Sequence, residues 1–284
     1  MDSALPKGIW FAIAAAVGMS MLGIHYSMKS VEDAPTQPVV KVADGSLKGK
    51  PVRVVLDPGH GGGDGGTVVF SLLEKELVLD LSMRVQRALE RDGIRAVMTR
   101  QSDNDVELAE RVALGRKHPG VPFVSIHLNR YKSPSVRGAE VYVMDGKPVP
   151  LPVVKGYDGH KIGGSELRWT SDNSTNQGFF DRRSTTLGTQ ILAAMTADGD
   201  LKNRGVRQRK LFIVEFAPPP AVLIECGYLS NPSEARKFSK AAFREKVAQN
   251  IADGIRNYLD AAEKNPTYGF TRESALSDAV LTIK

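Results

Sequence analysis

Patterns typical of strands and of helices alternate along most of the chain, from residue 51 to residue 263. Short apolar runs predict strands, and apolar residues spaced three or four apart predict helices. The predicted strands are residues 52–56, 94–99, 121–126, 139–144, 206–214 and 221–225. The first predicted helix contains Leu77, Leu81, Val85 and Ala88 and ends before Gly93. The other predicted helices are residues 106–117, 185–197 and most of 233–263. This alternation predicts a single α/β domain with a twisted, largely parallel sheet flanked by helices on both faces.

The N-terminal residues differ in character from the domain that follows. Residues 8–28 carry no formal charge and are flanked by Lys7 and Lys29, and roughly 20 predominantly apolar residues are enough for a membrane-spanning helix. We expect residues 1–29 to form an apolar helix that is either a membrane anchor or a cleaved signal segment. We expect residues 30–50 to form a linker. We expect residues 51–263 to form the folded domain and residues 264–284 to form a C-terminal tail.

Charge and cysteine content restrict the possible partners. The formal net charge is +6 and the isoelectric point about 9.3, which suits nucleic acid, an anionic membrane surface or an acidic polymer such as a bacterial wall. No nucleic acid is expected, because the chain lacks the interleaved basic and aromatic pattern of single-strand binders. Cys226 is the only cysteine, which excludes an intramolecular disulfide and a four-thiolate zinc site. We expect Cys226 to be a small buried residue.

Three side chains capable of chemistry stand at the ends of predicted strands. His60 follows the first strand on a glycine-rich turn, and His127 and Glu225 end two later strands. Ligands of open α/β sheets bind at the carboxyl ends of the strands, so we expect these residues to share one site. A catalytic zinc takes three protein ligands and leaves a fourth position for water. The histidines supply two ligands, and Glu74 or Glu76 is the nearest candidate for the third.

These features also have purely structural interpretations. Residues 71–74 (Ser-Leu-Leu-Glu) fit a helix capping box, in which Glu74 bonds only a backbone N–H, and the spacing leaves this alternative open. The glycine-rich turn could be an anion cradle, but it lacks the Gly-Lys-Ser/Thr ending of a phosphate loop. We interpret His25, His118 and His160 as residues without a catalytic role.

Six segments of the chain occur in the order that one known family shows. They are residues 56–62 (Leu-Asp-Pro-Gly-His-Gly-Gly), 74–77 (Glu-Lys-Glu-Leu), Thr99-Arg100 with Arg111, 125–129 (Ser-Ile-His-Leu-Asn), 138–142 (Gly-Ala-Glu-Val-Tyr) and 222–232 (Val-Leu-Ile-Glu-Cys-Gly-Tyr-Leu-Ser-Asn-Pro). On these segments the chain, from about residue 51 to residue 259, resembles the zinc-dependent N-acetylmuramoyl-L-alanine amidases of the type 3 family, the peptidoglycan amidases. Leu128 and Glu76 depart from the usual family pattern.

The resemblance implies a site and an activity. His60, Glu74 and His127 would hold one Zn²⁺, and Glu225 would be the catalytic carboxylate. Glu74 is preferred to Glu76 because the family's ligand precedes a lysine and an acidic residue at the start of a helix. The implied reaction is hydrolysis of the amide between N-acetylmuramic acid and L-alanine, for cell-wall remodelling, cell separation or lysis.

The resemblance also implies partners and a location. Peptidoglycan is the expected substrate, and a protein activator is a further expected partner. We expect export to the bacterial cell envelope, with anchoring in the inner membrane through residues 1–29, or secretion if that segment is cleaved. Residues 146–183 are rich in residues that break regular structure, and we expect this long loop to recognise the substrate or gate the site.

Two other functions remain open. A degenerate amidase would bind peptidoglycan without cutting it. A zinc carboxypeptidase of related architecture would need an arginine for the terminal carboxylate, and Arg100, Arg130 and Arg137 are candidates for that role. Product analysis separates the two enzymes, because an amidase releases the whole stem peptide and a carboxypeptidase only one residue.

Overall fold

The structure is a computed structural model that describes residues 47–69, 71–144 and 182–264. Its strands are β1 (Val54–Pro58), β2 (Val68–Val69), β3 (Leu72–Leu73), β4 (Ala96–Met98), β5 (Phe123–Asn129), β6 (Ala139–Val143), β7 (Asn203–Gln208) and β8 (Ala221–Tyr228). Its helices are α1 (Glu74–Arg91), α2 (Leu108–Arg116), α3 (Arg182–Thr196), α4 (Phe212–Phe216), α5 (Pro232–Phe238) and α6 (Ala241–Lys264).

Six strands form one sheet in the spatial order β4-β1-β5-β8-β6-β7. Neighbouring strands run parallel throughout this order except for β6 and β8, which are antiparallel. Strands β2 and β3 form a separate antiparallel pair between β1 and α1 in the chain. The prediction of a largely parallel sheet is confirmed.

Apolar side chains form a core on each face of the sheet. Val54 and Leu56 face the larger core, where they pack with α1, α3 and α6. Val55 points to the other face and joins a smaller core that includes residues of α2 and α4. Successive side chains of a strand point to opposite faces, so β1 contributes to both cores. The predicted helices on both faces are therefore present.

The prediction of an extended segment over residues 206–214 is wrong in its second half. Strand β7 ends at Gln208, and Phe212–Phe216 form the helix α4. The rings of Phe212 and Phe216 are four residues apart and their centroids lie 4.7 Å from each other. A short apolar run does not distinguish a strand from a buried helix turn by its periodicity, which explains the error.

The other boundaries differ from the predictions by a few residues. Strands β5 and β8 continue to Asn129 and Tyr228, so His127 and Glu225 lie within strands rather than at their last residue. The helical region 233–263 is divided into α5 and α6.

Several predictions concern residues that are not described. Residues 1–29, most of the loop 146–183 and the tail beyond Lys264 lie outside the described residues. Within residues 47–69, 71–144 and 182–264, no helix combines the length and apolar character that a membrane span requires.

Candidate metal centre

The turn after β1 holds His60 in an uncommon backbone conformation. His60 has φ +57°, in the left-handed region that non-glycine residues seldom adopt and that costs about 1–3 kcal/mol. The buried Arg111 compensates for this, because its Nη2 donates to the His60 carbonyl oxygen (2.7 Å) and its Nη1 to that of Pro58 (2.6 Å). Arg100, also buried, donates to the carbonyl oxygen of Gly59 (2.7 Å). The two arginines therefore determine the path of the turn.

A buried carboxylate below the turn keeps Arg111 in place. Asp57 accepts hydrogen bonds at Oδ1 from Arg111 Nη1 (2.9 Å) and from Thr99 Oγ1 (2.7 Å), and at Oδ2 from Ser125 Oγ (2.7 Å). Both members of the ion pair are buried, with side-chain exposures of 5% for Arg111 and 1% for Asp57. A buried ion pair needs such additional hydrogen bonds to be tolerated, and this one links β1, β5 and α2.

Glu74 begins α1 but does not form the alternative capping box. The N-cap residue of α1 is Leu73, which makes no side-chain capping bond. The carboxylate instead accepts the N–H of Thr67 at Oε2 (2.8 Å) and the N–H of Leu128, on β5, at Oε1 (3.0 Å). Glu74 is buried and reaches from the helix to the neighbouring strand.

The two histidines meet at this carboxylate. His60 Nε2 and His127 Nδ1 each lie 3.1 Å from Glu74 Oε1, and one potential ligand atom from each of the three residues lies within 4.8 Å of the others. The ligand atoms of a tetrahedral zinc with bonds of about 2.0–2.1 Å would be about 3.3 Å apart. The donor set and its spacing therefore fit a catalytic zinc or a similar divalent cation.

Two further contacts orient the histidines. His60 Nδ1 lies 2.7 Å from Asp64 Oδ2. Because a carboxylate only accepts, this contact requires a proton on Nδ1, and it turns Nε2 towards Glu74, where it could bind a metal. The ring of His127 packs directly against the backbone of Gly59, where an added Cβ would lie 2.2 Å from His127 Cε1. No side chain larger than hydrogen fits there.

The charges of these groups support one another. Burial opposes the ionised form of Glu74, but hydrogen bonds from His127 and His60 outweigh it and hold the pKa of Glu74 far below its usual range. Burial lowers the pKa of His60, and the neighbouring carboxylates Glu74 and Asp64 raise it to a value above normal. Glu74 is therefore a carboxylate at neutral pH, as a metal ligand must be.

Glu225 lies next to the cluster on β8 and differs from it in its hydrogen bonding. It is the register partner of His127 on one side and of Glu140 on the other. Its Oε2 is buried and has no hydrogen-bond partner among the described residues. Burial, followed by the charges of Glu74 and Glu140, raises the pKa of Glu225 well above its usual value. A buried, unpartnered carboxyl oxygen beside a cation site is a candidate for proton transfer.

The remaining candidates from the sequence are not in this cluster. Glu76 is exposed, whereas Glu74 is buried between the histidines. Arg100 bonds backbone carbonyls, and Arg130 and Arg137 are exposed. His118 lies beyond the end of α2. Cys226 is buried, as predicted, and burial raises the pKa of its thiol.

Sequence reasoning did not assign roles to several residues that support the cluster. Asp64 belongs to the glycine-rich turn, and its position four residues after His60 was a usable signal. The connection of Asp57 to Arg111 spans 54 positions, so nothing in the local sequence indicates it. Glu140 and Tyr142 of β6 lie on the face of the sheet that also carries Glu225 of β8, which becomes evident only once the strands are paired.

Two histidines at the carboxyl ends of parallel strands and a buried glutamate from the start of α1 are a donor set typical of α/β metal-dependent hydrolases. Comparison with known proteins identifies the family. The family described as "N-acetylmuramoyl-L-alanine amidase" matches residues 54–257, and the chain belongs to this family of cell-wall hydrolases. The resemblance inferred from the sequence is confirmed.

Individual relatives agree with this assignment. The chain is 31% identical over 239 residues to the N-acetylmuramoyl-L-alanine amidase AmiA of Escherichia coli, covering 78% of this chain and 83% of AmiA. It is 31% identical over 205 residues to LytC of Bacillus subtilis, which is 72% of this chain and 35% of LytC. Among solved structures, the amidase AmiC2 of Nostoc punctiforme has a TM-score of 0.59 at 29% identity, covering 74% of this chain and 97% of AmiC2.

Proposed function

We propose that this chain hydrolyses the amide between N-acetylmuramic acid and L-alanine in peptidoglycan, with one Zn²⁺ held by His60, Glu74 and His127. The observation that carries the proposal is the meeting of both histidines at Glu74 Oε1, at 3.1 Å each. Membership of the amidase family supports the substrate. Two histidines and one glutamate with an open fourth position are a donor set used by catalytic zinc.

The division of labour follows from the hydrogen bonding of each residue. Zinc, when bound, supplies a Lewis acid that polarises a carbonyl and makes a nearby water more acidic. His60, Glu74 and His127 would hold it, with Asp64 orienting His60. Glu225 would take a proton from the attacking water at Oε2 and deliver it to the leaving amine. This oxygen has no hydrogen-bond partner among residues 47–69, 71–144 and 182–264, which keeps it available to the water.

The experiment is digestion of purified peptidoglycan by the full chain, with and without a chelator, followed by mass analysis of the products. We expect free stem peptides that begin with L-alanine, lost on chelation and restored by zinc. Release of a single terminal residue would instead indicate a carboxypeptidase. Binding without release would indicate a binding protein or an enzyme that requires an activator.

Two variants separate the metal from the carboxylate. His60→Ala should lose zinc and activity together. Glu225→Gln should bind zinc like the wild type and lose turnover. Normal turnover in Glu225→Gln would contradict the proposed role of this residue.

We further propose export to the bacterial cell envelope, because the substrate of this family is there. Residues 1–29 would act as an inner-membrane anchor, or as a signal segment whose cleavage gives a secreted enzyme. Fractionation of cells that produce the full chain, with mass measurement of the mature N-terminus, distinguishes the two. A protein found only in the cytoplasm with its N-terminus intact would contradict both.

A further inference from the structure

The face of the sheet that carries Glu225 continues past the metal centre onto β6 and β7. His127, Glu225 and Glu140 are register partners on the three successive strands β5, β8 and β6. Partners in register point to the same face, and neighbouring strands are about 4.8 Å apart, so Glu140 lies about 10 Å from His127 across the sheet. This row leads from the metal ligands to the edge strand β7.

An irregularity in β7 places two arginines on this face. Arg204 and Arg207 are three positions apart, so a regular strand would direct them to opposite faces. The pairing of β6 with β7 shifts register at this point, and Gly205 has φ +93°. Such a bulge inserts one residue and re-aims the side chains that follow. Both Nε atoms consequently reach Glu140 Oε2, at 3.1 Å from Arg204 and 3.2 Å from Arg207.

Arg209 extends the same basic surface. It lies two positions after Arg207, and its guanidinium carbon is 5.4 Å from the centroid of the Tyr142 ring. Tyr142 and Glu140 are alternate residues on one face of β6. Arg209 is exposed, and the side chain of Arg207 is 48% exposed. We call Arg204, Arg207 and Arg209 the arginine shelf.

Both oxygens of Glu140, the carboxylate beneath the shelf, have polar partners. Glu140 Oε1 accepts from Asn129 Nδ2 (3.0 Å), Tyr142 OH (2.9 Å) and Tyr228 OH (2.6 Å), while Oε2 faces two arginines. Burial opposes ionisation of Glu140, but these hydrogen bonds hold its pKa below the usual value. Three guanidiniums therefore face Glu140 and, through Arg209, Glu225, which leaves the shelf with an excess of positive charge.

We propose that the arginine shelf binds a carboxylate of the substrate on the peptide side of the scissile amide. Guanidinium groups held in a fixed orientation match a carboxylate through paired hydrogen bonds. The guanidiniums of Arg204 and Arg207 reach Glu140, and the distance of about 10 Å from there to His127 corresponds to about three extended residues. The shelf therefore selects peptides that carry a free carboxylate near the third residue from the cleaved bond, whereas the uncharged sugars of the glycan offer it no partner. This inference rests on the proposed function.

The test compares two substrates that differ only in charge. One is a muramoyl stem peptide with free carboxylates, and the other is the same molecule with those carboxylates amidated. We expect the full-length, zinc-loaded chain to prefer the free acid in kcat/KM. The double variant Arg207→Gln, Arg209→Gln should lower that preference roughly ten- to hundredfold, the effect of losing one or two hydrogen bonds to a charged group. Arg204 is retained because it also contacts the Tyr228 ring.

A matched control removes the same charge elsewhere. Arg87 is an exposed arginine of α1, and this helix packs on the opposite face of the sheet. Arg87→Gln should keep the wild-type preference for the free acid. A wild-type chain without that preference, or a double variant that keeps it, would overturn the proposal.

A binding measurement separates this inference from the proposed function. The released stem peptide, free or amidated, is titrated calorimetrically into the zinc-loaded chain, which requires no turnover. Tighter binding of the free acid that depends on Arg207 and Arg209 supports the shelf even if no amide is cleaved. Cleavage of both substrates with equal peptide binding would retain the amidase and exclude the shelf.

Discussion

The turn that carries His60 and the strand position that carries Glu225 lie at the same end of the sheet, but the hydrogen bonding of their polar atoms differs. Around His60, the backbone carbonyls and the imidazole Nδ1 are held by Arg100, Arg111 and Asp64. At Glu225, a buried oxygen has no hydrogen-bond partner among the described residues. Leaving a buried polar group unpaired costs about 1–3 kcal/mol. The fold thus fixes the proposed ligands and leaves the proposed proton-transfer group without a hydrogen-bond partner among the described residues.

The largest effect is expected from removing the charge of Glu225. Glu225→Gln should lower kcat about 100- to 10,000-fold, the usual contribution of a general acid–base group, while zinc content stays at one per chain. Its thermal stability should equal or exceed that of the wild type, because the amide lacks the buried charge. Rate and metal content measured on the same sample decide the point, and a variant that loses its zinc would break the distinction between the two regions.

The next effect concerns the buried arginine that supports the His60 turn. Arg111→Met should cost about 3–5 kcal/mol of unfolding free energy, because it leaves Asp57 as a buried charge without its cation. Denaturant unfolding measures the loss, and Arg87→Gln, an exposed arginine on another face, serves as control. A loss below that of the control would show that the turn does not depend on Arg111.

A smaller effect should follow from changing the residue that orients His60. Asp64→Asn keeps an acceptor for the Gly66 N–H but loses the carboxylate facing His60 Nδ1. Zinc affinity should fall about 10- to 100-fold, with little change in the stability of the metal-free chain. Asp103→Asn is the matched control, because Asp103 bonds the same turn at Gly62 without contacting a histidine. Equal affinities in both variants would contradict the orienting role.

The smallest effect is expected at Asp80, which lies outside both regions. Asp80 accepts from Arg84 and Arg244, and although burial opposes it, these bonds hold its pKa below the ordinary 3.8. When the pKa of a carboxyl group is lower in the folded than in the unfolded state, its ionised form stabilises the fold at pH values above the unfolded-state pKa. This stabilisation disappears as the pH falls through the folded-state pKa. Asp80→Asn should therefore lose about 1 kcal/mol at pH 7 and progressively less below pH 3.8. A difference independent of pH would exclude an ionic origin.

The position of the candidate site at the carboxyl ends of the strands was predictable from the sequence. An apolar run followed by a turn indicates the carboxyl end of a strand, and parallel strands bring such ends together. His60, His127 and Glu225 therefore could be placed near one another before any pairing was known. Their exact strand positions differ, because β5 and β8 continue beyond the predicted ends.

The choice between Glu74 and Glu76 required more than spacing. Both stand in the first turn of α1. The family resemblance favoured Glu74, and its contacts with Leu128 and His127 show that this carboxylate reaches β5. The arginine shelf was likewise not predicted, because the odd spacing of Arg204 and Arg207 suggests opposite faces. The isolated glycine within β7, Gly205, was the available sign of a bulge.

The antiparallel direction of β6 also determines the end of the sheet at which the interval 145–181 begins and ends. Strand β6 runs away from the metal centre, so Val143 lies towards the opposite end of the sheet, and Ser184 of α3 accepts the N–H of Ala221 at the start of β8. Residues 145–181 are thus attached to the domain at the end remote from His60 and His127. We therefore expect a change of length within that interval to leave β1, β5 and β8 in place.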